Sequence, residues 1–167
     1  LLFPFTVRDV VAMGSLLAAS DEDIEHCLRY FSAAELINRQ YLSLSGGERQ
    51  RVQIARVLLQ LLPSLKAGDP AYLFLVEPLN ALDLNHQFAL MALLESLRDR
   101  GFAIACVIHD LVLAHRFADQ VWVLSNGRLV AQGGAVAVIN ERLLDEVFML
   151  PAQPRKVMAS LLDCAAR

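Results

Sequence analysis

Two adjacent glycines, Gly46 and Gly47, stand between Ser45 and Glu48 at the start of a strongly helical stretch. Glycine is a poor helix former, so helix propensity does not explain the pair. A Gly-Gly turn that leads into a helix exposes backbone N–H groups, and the helix dipole adds positive potential there. Ser45 is expected to add a hydroxyl donor. These residues predict a site for an anion such as phosphate, although the same pattern is also typical of a flexible loop before a helix.

Two further side chains that could do chemistry, Glu77 and His109, come at the ends of short apolar runs. The runs, residues 71–78 and 102–108, are predicted to be buried strands with a helix between them. This order predicts a βαβ unit with a parallel sheet, whose ligands bind at the carboxyl ends of the strands. A glutamate at that edge can act as a base. The alternative is that Glu77 and His109 are solvated residues at the rim of the sheet.

Helices are predicted on both sides of the glycines. The segment after them has an apolar stripe at helical spacing. The predicted helical segments are residues 6–19 with Thr6 as N-cap, a helix opened by Ser20, a short helix with a capping box at 32–35, and residues 48–62 ended by Pro63.

The second half of the chain continues with helix and hairpin signals. Asp83 lies near the start of the helix between the strands, and Gly101 is its C-terminal signal. Asp110 is expected to cap a helix that reaches about residue 118. Asn126-Gly127 joins two β-rich runs and predicts a hairpin. Helical pieces are predicted from there to the C-terminus.

Composition limits the possible functions. The chain has 167 residues, which suffices for a domain with a real core, and its formal net charge of −3 gives no basic field to recruit nucleic acid. Hydrophobic residues make up 56%, but charges interrupt every apolar stretch before it reaches membrane-spanning length. This excess predicts strands buried on both faces or a surface covered by a partner. The three cysteines are expected to be free thiols.

Longer strings of residues resemble a known family. The string LSGGERQR at 44–51 resembles the signature motif of ABC-transporter ATPases at every position. YLFLVEP at 72–78 resembles the Walker B strand, NALD at 80–83 the D-loop, and His109 the switch histidine. The resemblance implies an α/β fold, namely the P-loop NTPase-like core of an ABC ATPase with a mainly parallel sheet and a helical signature subdomain.

The resemblance also implies roles for the candidate residues. Glu77 would be the catalytic glutamate that activates water, and His109 would sense the γ-phosphate. ATP and Mg²⁺ are the implied cofactors. In this family two subunits meet head to tail, so the signature turn would hold the partner's ATP and Asp83 would work across the dimer seam. The turn residues concerned are Ser45, Gly46, Gly47 and Glu48.

Two stretches resemble importers of iron chelates, vitamin B12 and heme. They are FPFTVRDVVAMG at 3–14 and the segment from His109 to Gly133, and together they look most like the ATPase of hemin importers. Siderophore or cobalamin import stays an alternative. The implied partners are a second ATPase subunit in a homodimer, transmembrane permease subunits and, indirectly, a periplasmic substrate-binding protein. The implied location is the cytoplasmic face of the bacterial inner membrane, where the subunit would be bound peripherally. Nucleic acid is not among the implied partners.

The sequence departs from the family pattern in two ways. It contains no Gly-x-x-x-x-Gly-Lys-Ser/Thr loop, the Walker A motif, which is expected upstream of Leu1 together with a strand between residues 102–108 and 121–125. Val76 stands where the family has the Walker B aspartate, which helps to hold Mg²⁺, and Leu79 replaces the usual Thr or Ser. The isolated chain is therefore predicted to bind ATP poorly and to hydrolyse little or none.

The predicted organisation is a helical subdomain with the signature motif, residues 1–62, followed by the C-terminal part of the ATPase core, residues 63–167. A rival reading is a non-catalytic interaction module or a decayed copy of an ABC ATPase. Val76 and the missing Walker A loop favour that rival, whereas intact Glu77, His109 and Asp83 argue against it.

Overall fold

The computed structural model describes residues 4–15 and 19–165 of the chain. These residues form two compact units, Leu1–Val107 and Ile108–Arg167. The first unit contains a group of helices and a parallel strand pair, and the second contains an antiparallel hairpin with helices. The predicted α/β class is confirmed. The predicted boundary between a helical subdomain and the ATPase core, at residues 62 and 63, stays a prediction.

The helical part of the first unit is built around one long helix. It comprises α1 (Val7–Ala12), α2 (Asp21–Tyr30), two 3₁₀ turns (Ala34–Leu36 and Tyr41–Ser43) and α3 (Gly46–Ala67). Helices α1 and α2 both pack on α3. The predicted N-caps are confirmed, because Thr6 accepts from the amide of Asp9 and Ser20 from that of Asp23.

Two of the predicted helix boundaries in this part are wrong. Helix α1 ends at Ala12, well before residue 19, and residues 16–18 lie outside the described part. The capping box expected at 32–35 does not form, because Ser32 has a φ of 49° and the 3₁₀ turn begins after Ala33 with no side-chain cap.

Helix α3 runs past Pro63, which was expected to end it. The helix closes at Gly68, whose φ of 74° gives the left-handed C-cap that glycine adopts easily. Leu58, Leu59 and Leu61 are buried immediately before the proline. Their packing outweighs the loss of one backbone hydrogen bond at Pro63, so tertiary contacts override the local stop signal.

The predicted βαβ unit is confirmed. It consists of β1 (Tyr72–Val76), α4 (Leu84–Asp99) and β2 (Ala103–Val107). The strands are parallel, with Tyr72 opposite Ala103 and Val76 opposite Val107. Apolar side chains of α3, β1 and α4 meet around one small cavity; they include Ile54, Leu58, Leu61, Leu73, Leu90 and Leu94.

The prediction that these strands are buried on both faces is wrong. Leu73 points into the core and is only 6% exposed, whereas Tyr72, Phe74 and Val76 are 80%, 76% and 76% exposed. Val107, opposite Val76, is also exposed. We call Tyr72, Phe74, Val76 and Val107 the open face of the β1–β2 pair. It follows that, among the described residues of the first unit, helices cover the Leu73 side of this pair and leave the open face exposed.

The second unit contains the hairpin and the C-terminal helices. Its elements are α5 (Leu111–Phe117), β3 (Gln120–Ser125), β4 (Arg128–Gly134), α6 (Ala135–Val138), α7 (Glu141–Glu146) and α8 (Ala152–Ala165). Asp110 caps α5 as predicted. The hairpin is also confirmed, and Asn126 and Gly127 both have positive φ, as a type I′ turn requires. Its core is Ile139, Leu143, Leu144 and Leu162.

Within the described ranges, no helix combines the length and the apolar character needed to cross a membrane.

Candidate functional site

The signature turn begins helix α3. Ser45 is the N-cap, and the two glycines are the first two residues of the helix itself. The Ser45 hydroxyl accepts a hydrogen bond from the Glu48 amide at 3.3 Å, and the Glu48 carboxylate accepts one from the Ser45 amide at 2.8 Å. This is a capping box. The Ser45 oxygen, expected as a donor, therefore acts here as an acceptor.

The donors of the turn are the amides of Gly46 and Gly47. As the first residues of a helix, they have no carbonyl within the helix to receive their N–H groups. Gly46 is exposed and Gly47 is half-buried. The dipole of a 22-residue helix adds to the positive potential at this end. The arrangement suits an anionic oxygen, and the binding of phosphate at this turn stays a prediction.

The Glu48 side chain is held by contacts with Ser45 and Arg39. The hydrogen bonds with Ser45, first of all from its amide, hold the pKa of the Glu48 carboxyl below its usual range. Arg39 lies 3.7 Å from the same carboxylate. Glu48 is therefore a helix-capping carboxylate in this chain, and its role toward a nucleotide stays a prediction.

Residues 77–83 follow β1 and carry two of the predicted site residues; we call them the carboxylate loop. The Glu77 amide donates to the carbonyl of Val107 at 2.9 Å, which continues the pairing of β1 with β2 by one residue. Glu77 and Ala81 have φ values of 50° and 60°, in the left-handed region that non-glycine residues rarely adopt. Asn80 Nδ2 donates to the Glu77 carboxylate. Glu77 thus leaves the carboxyl end of β1 as predicted, with its side chain held from within the loop.

Asp83 ends the loop and caps helix α4. Its carboxylate accepts from the His86 amide at 3.0 Å and lies 2.9 Å from His86 Nδ1. These contacts lower the pKa of the Asp83 carboxyl, the backbone hydrogen bond of His86 most of all. Asp83 is exposed, so its carboxylate stays accessible to solvent while it caps the helix.

The structure brings the signature turn and the carboxylate loop together. A Cβ atom on Gly47 would lie 2.8 Å from the carbonyl oxygen of Ala81, closer than real side chains approach. Gln50, one turn further along α3, donates from Nε2 to the carbonyl of Pro78 at 2.8 Å. The second glycine is therefore needed for packing as well as for its amide. Sequence reasoning passed over Gln50 and Asn80, although both stand inside the quoted motif strings.

His109 lies in the second unit, between the end of β2 and the N-cap of α5. Its side chain is exposed. The neighbouring Asp110 carboxylate accepts from the amides of Val112 and Leu113, both at 2.9 Å, which fixes the start of α5 directly after the histidine. A joint role of His109 with Glu77 stays a prediction.

At the end of β1, the positions on either side of Glu77 and Pro78 do not suit a metal ion. Val76 is exposed and offers no oxygen, and Leu79 is buried at 8% exposure. Among the described residues, no group of three or more His, Cys, Asp or Glu side chains is placed to hold a metal. The described residues therefore do not supply a magnesium site by themselves.

The expected free thiols are confirmed, since Cys27, Cys106 and Cys164 are all unpaired. Burial raises the pKa of the Cys27 and Cys106 thiols to about 11, whereas Cys164 is exposed. Cys27 is buried and Cys106 is half-buried. Both thiols are therefore poor nucleophiles near neutral pH, and Cys27 acts as a small apolar core residue.

Known proteins resemble this chain in sequence and in fold. No protein-family model matches the chain. It is 43% identical over 155 residues to the hemin import ATP-binding protein HmuV of Hahella chejuensis, covering 90% of this chain and 60% of the relative. It is 40% identical over 155 residues to HmuV of Mesorhizobium japonicum, covering 89% and 59%. The chain thus spans about 60% of the length of these curated relatives.

Among solved structures, the dimeric bacterial ABC transporter cassette MJ0796 superposes with a TM-score of 0.65 at 27% identity. The match covers 80% of this chain and 59% of the cassette. The fold predicted from the motif strings is therefore confirmed.

Proposed function

Because this chain is homologous to the ATP-binding subunits of ABC transporters and shares their fold, we propose that it forms part of the ATPase of a bacterial importer. The proposed subunit energises uptake of hemin or a related iron chelate by hydrolysing Mg-ATP at a head-to-tail dimer interface. Hemin is proposed as the transported compound because the relatives are hemin import proteins, and a siderophore or vitamin B12 is the alternative. The observation that carries the proposal is the packing of the signature turn against the carboxylate loop.

In the proposed reaction, the candidate residues have the following roles. Glu77 orients the attacking water and accepts its proton, and His109 contacts the γ-phosphate. The Gly46 and Gly47 amides donate to phosphate oxygens of the nucleotide bound by the partner subunit, and Asp83 works at the seam. ATP supplies the phosphoryl group. No step is assigned to Mg²⁺, because the described residues do not form its site.

The proposed partners follow from the same homology. They are a second copy of the ATPase subunit, transmembrane permease subunits and, indirectly, a periplasmic substrate-binding protein. The subunit would lie peripherally on the cytoplasmic face of the inner membrane. The dimeric form of the MJ0796 cassette and the importer names of the relatives support this assignment.

The experiment that tests the proposal supplies a part of the relatives that this chain does not cover. The segment of Hahella chejuensis HmuV that precedes the matched region is fused to this chain, and phosphate release is measured. We expect turnover from the fusion that also carries Val76→Asp, and a rate lower by roughly 10²–10³ with Val76 retained, because a metal-positioning carboxylate is then missing. Glu77→Gln should abolish turnover in both.

A fusion with Val76→Asp that folds and binds ATP but shows no turnover would contradict catalysis by this chain. For the isolated chain of residues 1–167 we expect little or no hydrolysis, since the sequence has no Walker A loop. Robust turnover by the isolated chain that Glu77→Gln abolishes would overturn that expectation.

A second candidate function is a non-catalytic interaction module. Val76, in the position of the Walker B aspartate, favours it, because a valine cannot accept a hydrogen bond or bind a metal. A pull-down of the permease by the chain, made beside the ATPase assay, separates the two functions. Permease binding without turnover in any fusion supports the interaction module.

A further inference from the structure

We propose that Gln50 is a positioning residue that ties helix α3 to the carboxylate loop and thereby fixes the placement of Glu77. The inference rests on the proposed function in one respect, namely that Glu77 is the residue whose placement matters for hydrolysis. The contact itself is a property of the chain: Gln50 Nε2 donates to the Pro78 carbonyl at 2.8 Å across 28 positions of sequence.

The carboxylate loop needs such support because its backbone is strained. Glu77 and Ala81 both adopt positive φ although neither is glycine. Residues in this region persist only when the surrounding structure holds them there. Within the loop, the Asn80 amide donates to the Glu77 carbonyl and the Leu82 amide to the Leu79 carbonyl, both at 3.2 Å. Both distances are at the upper end of the usual range for such hydrogen bonds, so we expect contacts from outside the loop to add to its stabilisation.

Two helices contact the loop from outside. Gln87 of α4 donates from Nε2 to the carbonyls of Leu79 and Leu82 at 3.4 and 3.2 Å, and one face of α3 supplies two further contacts. Gly47 and Gln50 are three positions apart, so they project from the same side of the helix. Gln50 holds the carbonyl of Pro78, and the bare Cα of Gly47 lies against the carbonyl of Ala81. The two contacts flank Asn80 in the sequence. Because Asn80 donates to the Glu77 carboxylate, a shift of the loop relative to α3 moves the donor that orients this carboxylate.

This arrangement gives the signature turn a second task. The same first turns of α3 present the Gly46 and Gly47 amides and support the loop that carries Glu77. A ligand that displaces the start of α3 would therefore change the placement of Glu77 within one chain. The side chain of Gln50 supplies a direct hydrogen bond from α3 to residues 77–83.

The test compares two glutamines on α3 in the full chain of 167 residues. Gln50→Met keeps the length of the side chain and removes the donor. Gln53→Met is the matched control, because Gln53 is also half-buried on α3 but donates to the Tyr41 hydroxyl at 2.7 Å, away from the loop. The measurements are amide hydrogen exchange at Asn80 and Leu82, and the titration midpoint of the Glu77 carboxyl by carbon NMR. Glu77→Gln identifies the carboxyl signal.

We expect Gln50→Met to speed exchange at Asn80 and Leu82 by about tenfold, as for a loop that opens locally. The Glu77 midpoint should move upward, because a loosened Asn80 stabilises the carboxylate less. Gln53→Met should leave both readings at the wild-type values. Wild-type exchange and an unchanged midpoint in a folded Gln50→Met protein would overturn the proposal.

If Gln50→Met does not fold, Gln50→Glu provides the same test, because an ionised carboxylate of equal size cannot donate to Pro78. Slow exchange in the loop of that variant would also overturn the proposal. Neither measurement involves nucleotide, so failure here is distinct from failure of the ATPase assay on the fusion protein.

Discussion

At the residue scale, the end of strand β1 carries the sharpest departure from the family pattern, Val76. Its side chain is exposed, so a carboxylate at this position stays in water. We expect Val76→Asp to change the free energy of unfolding by no more than about 0.5 kcal/mol. Leu73→Asp on the buried face of the same strand should cost several kcal/mol, on the order of 3–5, because it buries an unpaired charge. Urea unfolding of both variants measures the difference, and equal losses would contradict the orientation of β1.

A second prediction at this scale concerns pH and the capping carboxylate of Glu48. Its pKa is lowered in the folded chain, so its contribution to stability is present above the unfolded pKa of about 4.3 and is lost as pH falls through the folded value. Wild type should therefore be more stable than Glu48→Gln at pH 7, and the difference should vanish near pH 2. Thermal unfolding from pH 7 to 2 tests this, with Glu95→Gln in mid α4 as the control for removing a charge. A pH-independent difference would exclude ionisation as its source.

At the element scale, helix α3 continues through a proline. Pro63 has no amide hydrogen, and its ring crowds the carbonyl of Leu59. Pro63→Ala should raise the free energy of unfolding by about 1–2 kcal/mol, because the helix regains a hydrogen bond while the unfolded chain gains some freedom. Gln60→Ala, also exposed on α3, should change it by no more than about 0.5 kcal/mol. If Pro63→Ala destabilises the chain in denaturant unfolding, the packing of α3 depends on its proline.

At the scale of the whole molecule, the open face of the β1–β2 pair is a large apolar surface. Parallel strands are normally covered on both sides, and exposed apolar patches promote association. We expect the isolated chain to self-associate in sedimentation velocity experiments. Phe74→Lys should weaken the association constant roughly ten- to hundredfold, since burying one such side chain contributes about 1.5–3 kcal/mol.

The control for that experiment is Leu42→Lys, which changes an exposed leucine of the 3₁₀ turn Tyr41–Ser43 that lies outside the open face. It should leave the association unchanged. A chain that stays monomeric at all concentrations, or a Phe74→Lys variant that associates like wild type, would show that the open face is not the contact surface.

Features that depend on neighbouring residues could be predicted from the sequence alone. The caps at Thr6, Ser20 and Asp110 form where the sequence indicated them, because each joins a side chain to an amide two or three positions away. The Asn126-Gly127 turn formed for the same reason, since its backbone conformation suits these two residues. The motif strings likewise predicted the fold that the comparisons confirmed.

Features that depend on packing between distant residues could be identified only in the folded chain. The burial of Leu58, Leu59 and Leu61 carries α3 through Pro63, which reads locally as a stop. Strands rich in apolar residues leave one face open, because exposure depends on which elements cover a strand and not on its own sequence. The contact between Gln50 and Pro78 joins residues that are 28 positions apart in the sequence. They meet because α3 and β1 pack against the same apolar core.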